Sequence, residues 1–185
     1  MEDRRIRKTE QAVQAAFAKL LSEKSVEDIT VKKLCETADI NKSTFYLHYR
    51  DIYDCADRIR DTIVEDFSNV LTPYSFNALA ENFSTVMNEL KDLYYKNREI
   101  YIPFLKSPSL AFSSCKIRQL VIAKFLGKTK DQDEINEIFS CSVSFVLSGM
   151  ISLLEQYEVT QIDSKTILAL TERIRHGFSH GAEVR

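Results

Sequence analysis

Glycine is scarce in this chain: there are four among 185 residues, at positions 127, 149, 177 and 181, and none before them. A P-loop, a GxGxxG dinucleotide turn and a GxSxG nucleophile elbow each need glycine, because only a residue without a Cβ lets the backbone turn tightly against a phosphate or a strained serine. All three are excluded. Hairpin-rich sheets are disfavoured too, since no NG, DG or GG pair occurs. The four cysteines, Cys35, Cys55, Cys115 and Cys141, form no CxxC pair, and each sits in an apolar periodic run. They read as reduced core thiols, neither a zinc site nor a disulfide frame. Three histidines are too few and too scattered to build a nucleophile–base or metal-ligand constellation, so neither an enzyme nor a metal or other cofactor is expected. His176 and His180 lie four apart, but glycines interrupt their helix, and a frayed tail accounts for them. The opening MEDRRIRKTE has no apolar stretch of the kind a signal peptide needs, so a cytoplasmic protein is expected.

No excess of one charge sign points to a partner, because 25 basic residues face 27 acidic ones and the net charge is −2. The distribution says slightly more: residues 1–50 hold ten basic and eight acidic side chains, so the head is mildly positive and the remainder negative. The longest uncharged run, Ile138 to Leu154, reaches the lower limit for a membrane span. Five serines dilute it, and neither end carries Trp or a basic cluster, so no membrane is expected. Ser140, Ser144, Ser148 and Ser152 repeat every four residues and form a ridge of small side chains along which another helix can approach closely, as in a subunit interface.

What remains is helical spacing almost throughout. Ile6, Val13, Phe17, Leu20 and Leu21 mark a helix of about 5–23. Thr30 caps a short helix buried through Val31, Leu34, Cys35 and Ala38, and Asn41 caps another, Lys42 to His48, anchored by Phe45 and Tyr49. Asp51 followed by Asp54 resembles a capping box and opens a connecting helix of about 52–71. Beyond Pro73 the pattern predicts one helix over 76–96, a short one over 99–106 with Pro103 in or near its end, one over 109–126 closed by Gly127, and two last ones over 131–157 and 163–178. The fold class is all-α with about nine helices: a helix-turn-helix head, about 1–50, and a larger helical domain over 51–185.

Residues 30–51, TVKKLCETADINKSTFYLHYRD, concentrate the chemistry. Two short capped helices three residues apart have the spacing in which one helix braces another in a major groove. With Phe45 and Tyr49 turned inward, Lys42, Ser43, Thr44, Tyr46 and His48 are left to face outward within reach of phosphates and base edges. Arg4, Arg5 and Arg7, with Lys32 and Lys33, extend this face.

These residues resemble the tetracycline-repressor (TetR) family of bacterial regulators. The likeness is carried by Ala15-Ala16-Phe17 in the first helix, by ITVKKLCETADI, and by NKSTFYLHY, similar to the family's recognition helix; it covers about residues 5–70 in detail. The resemblance implies a homodimer that binds a palindromic double-stranded DNA operator and lets go when a small molecule enters a C-terminal cavity. Repression is the family's common mode. It further implies that Thr30 contacts phosphate as well as capping, that Lys42, Ser43 and Thr44 open the recognition helix, that Tyr46 and His48 reach phosphates, and that Leu47 touches a thymine methyl or sugar edge. Tyr101, Phe104 and Phe145 fall on segments that line the pocket in similar proteins. No charged residue stands out there, which favours a largely apolar effector. Three positions depart from the family pattern: Asp39 stands for the turn glycine, Ser43 for the glycine before the threonine, and Ile52 for the lysine that grips a phosphate at the start of the fourth helix. Arg50 is the candidate substitute for that lysine. The rival reading is a helical adaptor that keeps the trihelical head as a scaffold for binding protein, and Ile52 and the near-neutral head are its support.

Overall fold

The structure is a computed structural model, and it describes residues 4–107, 114–128 and 137–156 together with residues 165, 166, 169, 172 and 173. All regular structure in these residues is helical: α1 (Arg4–Glu23), a 3₁₀ turn (Val26–Asp28), α2 (Val31–Ala38), α3 (Lys42–His48), α4 (Ile52–Leu71), α5 (Phe76–Glu81), α6 (Phe83–Lys96), α7 (Arg98–Leu105), α8 (Ser114–Lys128) and α9 (Glu137–Gln156). No described helix is long and apolar enough to cross a membrane. The expectations for Ser109 to Phe112, for 131–136, for His176 and His180, and for most of the last helix lie outside the described residues.

The chain divides into two compact units. The first comprises Met1–Val64 with Asn97–Ile117, and the second Glu65–Lys96 with Arg118–Arg185. The first unit therefore takes in more chain than residues 1–50. Its core forms where the inward stripes of α1, α2, α3 and the first half of α4 meet: Val13, Phe17, Leu20, Leu34, Phe45, Tyr49, Ile52, Cys55 and Ile59 are all buried. Removing such side chains from water supplies about 1.5–3 kcal/mol each. α1 also packs against α7, where the Phe17 and Phe104 rings stack with centroids 5.6 Å apart.

In the second unit, α6 packs on α9 and α5 on α6. Phe67, Leu71, Leu79, Phe83, Val86, Met87, Leu90, Val121, Phe125, Val146 and Leu147 are buried, Lys124 pairs with Glu65, and the Tyr74 hydroxyl donates to Glu89 Oε1 at 3.4 Å.

Three expectations are corrected here. The single helix over 76–96 is two, because at Asn82 the backbone leaves the helical region (φ −105°, ψ 19°), with the Asn82 side-chain amide donating to the Ala78 carbonyl at 2.9 Å. The apolar stripe through Leu79, Phe83, Val86 and Leu90 runs across the break and conceals it from a periodicity argument. Gly127 does not close its helix: α8 continues to Lys128, and no described glycine has a positive φ. Cys35 and Cys55 are buried thiols as expected, but Cys141 is exposed on α9.

Candidate nucleic-acid interface

The pair α2–α3 is set by its caps. Thr30, extended at φ −103° and ψ 149°, accepts a bond from the Lys33 N–H on its hydroxyl oxygen, 3.2 Å, and starts α2. Asp39 ends α2 in the left-handed region at φ 54° and ψ 46°, and the Ile40 N–H reaches back to the Cys35 carbonyl at 3.0 Å. This six-to-one bond normally accompanies a glycine. Two residues later Asn41 starts α3, its Oδ1 accepting from the Thr44 N–H at 2.7 Å, the Ser43 hydroxyl at 2.6 Å and the Thr44 hydroxyl at 2.8 Å.

On α3, Phe45 is fully buried and Leu47 is 83% exposed. Successive residues on a helix advance by about 100°, so Leu47 lies about 200° from Phe45 and faces away from the core. Tyr46 is 57% exposed and edge-on to the Phe45 ring, while Lys42 and Ser43 are exposed and Thr44 half-buried. Lys32 and Lys33 on α2, and Arg4, Arg5, Arg7 and Lys8 in the first turns of α1, are exposed as well.

α4 opens with Asp51 Oδ1 accepting from the Asp54 N–H at 2.8 Å. The Asp54 carboxylate reaches back to the Arg50 N–H at 3.0 Å and to its guanidinium at 3.1 Å. Those bonds, the backbone one foremost, hold the Asp54 carboxyl below the usual carboxylate range. Burial pushes the Cys55 thiol up to about 12, so it stays neutral in the core.

Several expected roles change in this geometry. The Ser43 and Thr44 hydroxyls are engaged locally, both donating to the Asn41 cap oxygen, although Ser43 remains exposed. Arg50 is exposed, but its guanidinium is already paired with Asp54. Ile52 is buried in the head core. His48, expected to face outward, has a side chain only 14% exposed, and its Nδ1 lies 3.9 Å from Glu10 Oε1 of α1. Tyr101 and Phe104, expected at an effector cavity, are buried in the first unit, Phe104 against Phe17. Phe145 is 73% exposed on α9 in the second unit. The three residues proposed for the pocket thus fall in different units.

Sequence reasoning missed two residues. Tyr53 is exposed in the first turn of α4, and the buried stripe of Ile52, Cys55, Ala56 and Ile59 already leaves position 53 off the core face. Glu10 had no local signal, since its partner is on another helix. Among the described residues no group of His, Cys, Asp and Glu could hold a metal ion. In comparisons with known proteins, no family model and no curated protein matches the chain.

Proposed function

We propose that this protein is a DNA-binding transcriptional regulator of the TetR kind, acting as a homodimer on a palindromic operator. One observation carries the reading: α3 is a short capped helix whose inner side, Phe45 with Tyr49, anchors it in the head, and whose outer side presents Lys42, Ser43, Tyr46 and Leu47 to solvent. An apolar residue exposed at the centre of such a surface wants a partner with methyl or sugar edges, and lysine and tyrosine hydroxyl groups beside it suit phosphates. Thr30, Lys32 and the basic first turns of α1 supply the flanking contacts. Tyr53 offers a hydroxyl where Ile52 offers no charge.

The dimer reading draws on α9, where Cys141, Phe145 and Gly149 are exposed at four-residue spacing within an uncharged run. Two heads in such a dimer read successive major grooves about 34 Å apart. Release by a small molecule and the repressing sign of regulation rest on the family resemblance. Mechanistically, an effector shifts the population between two dimer states only by as much as it prefers one of them.

Selection from a random duplex pool with the full chain tests this reading. The expected result is enrichment of an inverted repeat whose half-sites lie about one helical turn apart. Absence of enrichment, or protein capture that does not depend on salt, supports the adaptor, which the burial of Ile52 and the pairing of Arg50 otherwise favour.

A further inference from the structure

Granting the reading of α3 as a recognition helix, we propose that Asp54 is a positioning residue: from the first turn of α4 its carboxylate clamps the short link behind α3 and so fixes the direction in which α3 points. Arg50 belongs to this clamp and not to the groups that grip phosphate.

Between His48, which ends α3, and Ile52, which begins α4, stand only Tyr49, Arg50 and Asp51. Tyr49 is extended at φ −133° and ψ 143°, so the chain has left the helical conformation there, and each link residue turns about two soft dihedrals. Such a link holds a direction only where its polar groups are tied down. The Tyr49 N–H closes α3 on the Phe45 carbonyl at 2.9 Å, and the Asp51 carbonyl accepts from the Cys55 N–H at 3.1 Å to open α4. The Arg50 N–H, between the two, donates to Asp54 Oδ2 at 3.0 Å. In an ordinary capping box a residue at this place in the first turn takes the N–H of the cap itself, here Asp51. Asp54 reaches one residue further back, toward α3. Asp51 Oδ1 returns the contact by accepting from the Asp54 N–H at 2.8 Å.

A second set of contacts joins the same carboxylate to the buried anchor of α3. Arg58, one turn further along α4, lies 3.5 Å from Asp54 Oδ2 through its Nε and 5.6 Å over the Tyr49 ring, and that ring is 5.3 Å from the ring of Phe45. The path from Asp54 to Phe45 is continuous. Exposure ranks its members: the Asp54 side chain is 11% exposed, Arg58 58% and Arg50 86%. An ion pair held in open water adds little, so the Arg50 guanidinium, 3.1 Å from Oδ1, is the minor part of the clamp and the bond from the Arg50 backbone the major one. Direction matters because α3 has seven residues and is about 10 Å long. A turn of about 10° displaces its far end by about 2 Å, more than a hydrogen bond to a duplex tolerates.

Duplex affinity across a salt series, with amide hydrogen exchange on the same variants, tests the clamp. Asp54→Ala should bind the selected duplex about tenfold more weakly than wild type at an unchanged salt slope, because direction is lost and no phosphate contact is removed. Asp54→Asn keeps one acceptor oxygen for the Arg50 N–H and should fall between the two. Arg50→Ala keeps the backbone bond and should lose less than Asp54→Ala, again at the wild-type slope. In exchange, Asp54→Ala should lose protection over residues 42–51 while residues 13–21 of α1 stay protected. A slope steeper by about 0.9 in Asp54→Ala, or shallower by about 0.9 in Arg50→Ala, overturns the proposal, since Arg50 is then a phosphate contact. Wild-type affinity in Asp54→Ala overturns it too, and so does a loss of protection spread evenly over the head, which marks a residue that only stabilises. If the wild-type chain binds no duplex, the DNA reading fails, and the exchange result alone decides the clamp.

Discussion

Asp39 is the only non-glycine residue with a positive φ among those described, and it sits where the recognition helix is aimed. A left-handed backbone costs an ordinary L-residue about 1–2 kcal/mol, and glycine escapes this but brings a larger unfolded-state entropy, of about 0.5–1 kcal/mol. Asp39→Gly should therefore raise stability by up to about 1 kcal/mol in urea unfolding. Two residues on, Asn41→Ala removes the acceptor of three bonds and should cost about 1 kcal/mol, lowering Tm by about 2–4 °C. Asp54 supplies a pH-dependent term. Its carboxyl is held low in the folded chain, so its contribution is present above the unfolded carboxylate range and is lost as the pH falls through the folded value. Wild type should melt above Asp54→Asn near neutral pH, with the gap closing below about pH 4. Caps of this kind were legible from sequence, because Thr30, Asn41 and Asp51 each act on a backbone N–H three residues away. The half-buried setting of His48 was not. Its partner, Glu10, is on α1, and no local pattern encodes a contact across that distance.

Among the elements, α1 to α4 were read with boundaries close to those observed, since each has an apolar stripe and α2, α3 and α4 open at a capping residue. The stripe failed as a guide where it did not stop: Asn82 breaks the backbone while Leu79, Phe83, Val86 and Leu90 keep their phase. Docking of α7 on α1 was likewise invisible, because it joins segments far apart in the chain. It changes the meaning of Phe104. A ring that is fully buried and stacked on Phe17 belongs to the head core, so Phe104→Ala should cost about 3–5 kcal/mol in urea unfolding, and Phe104→Leu much less. A Phe104→Ala chain as stable as wild type would return this residue to a ligand-lining role.

The whole molecule brings two compact units together under one proposed activity, and the boundary between them falls inside α4, inside α8 and at Asn97. Composition announced neither DNA nor an effector, since net charge is close to neutral. What was legible was the local arrangement of residues 30–51, with its short capped helices and the exposure of Lys42 and Tyr46, but not the turning in of His48 or the half-burial of Thr44. The central claim is that the outer side of α3 meets the charged backbone and base edges of a duplex. Affinity for the selected duplex, followed across a salt series for the wild-type chain and for Lys42→Ala, tests it most directly. The account predicts a linear fall of log affinity with log salt in wild type and a slope shallower by about 0.9 in Lys42→Ala. An affinity indifferent to salt, or one whose slope Lys42→Ala leaves untouched, contradicts it.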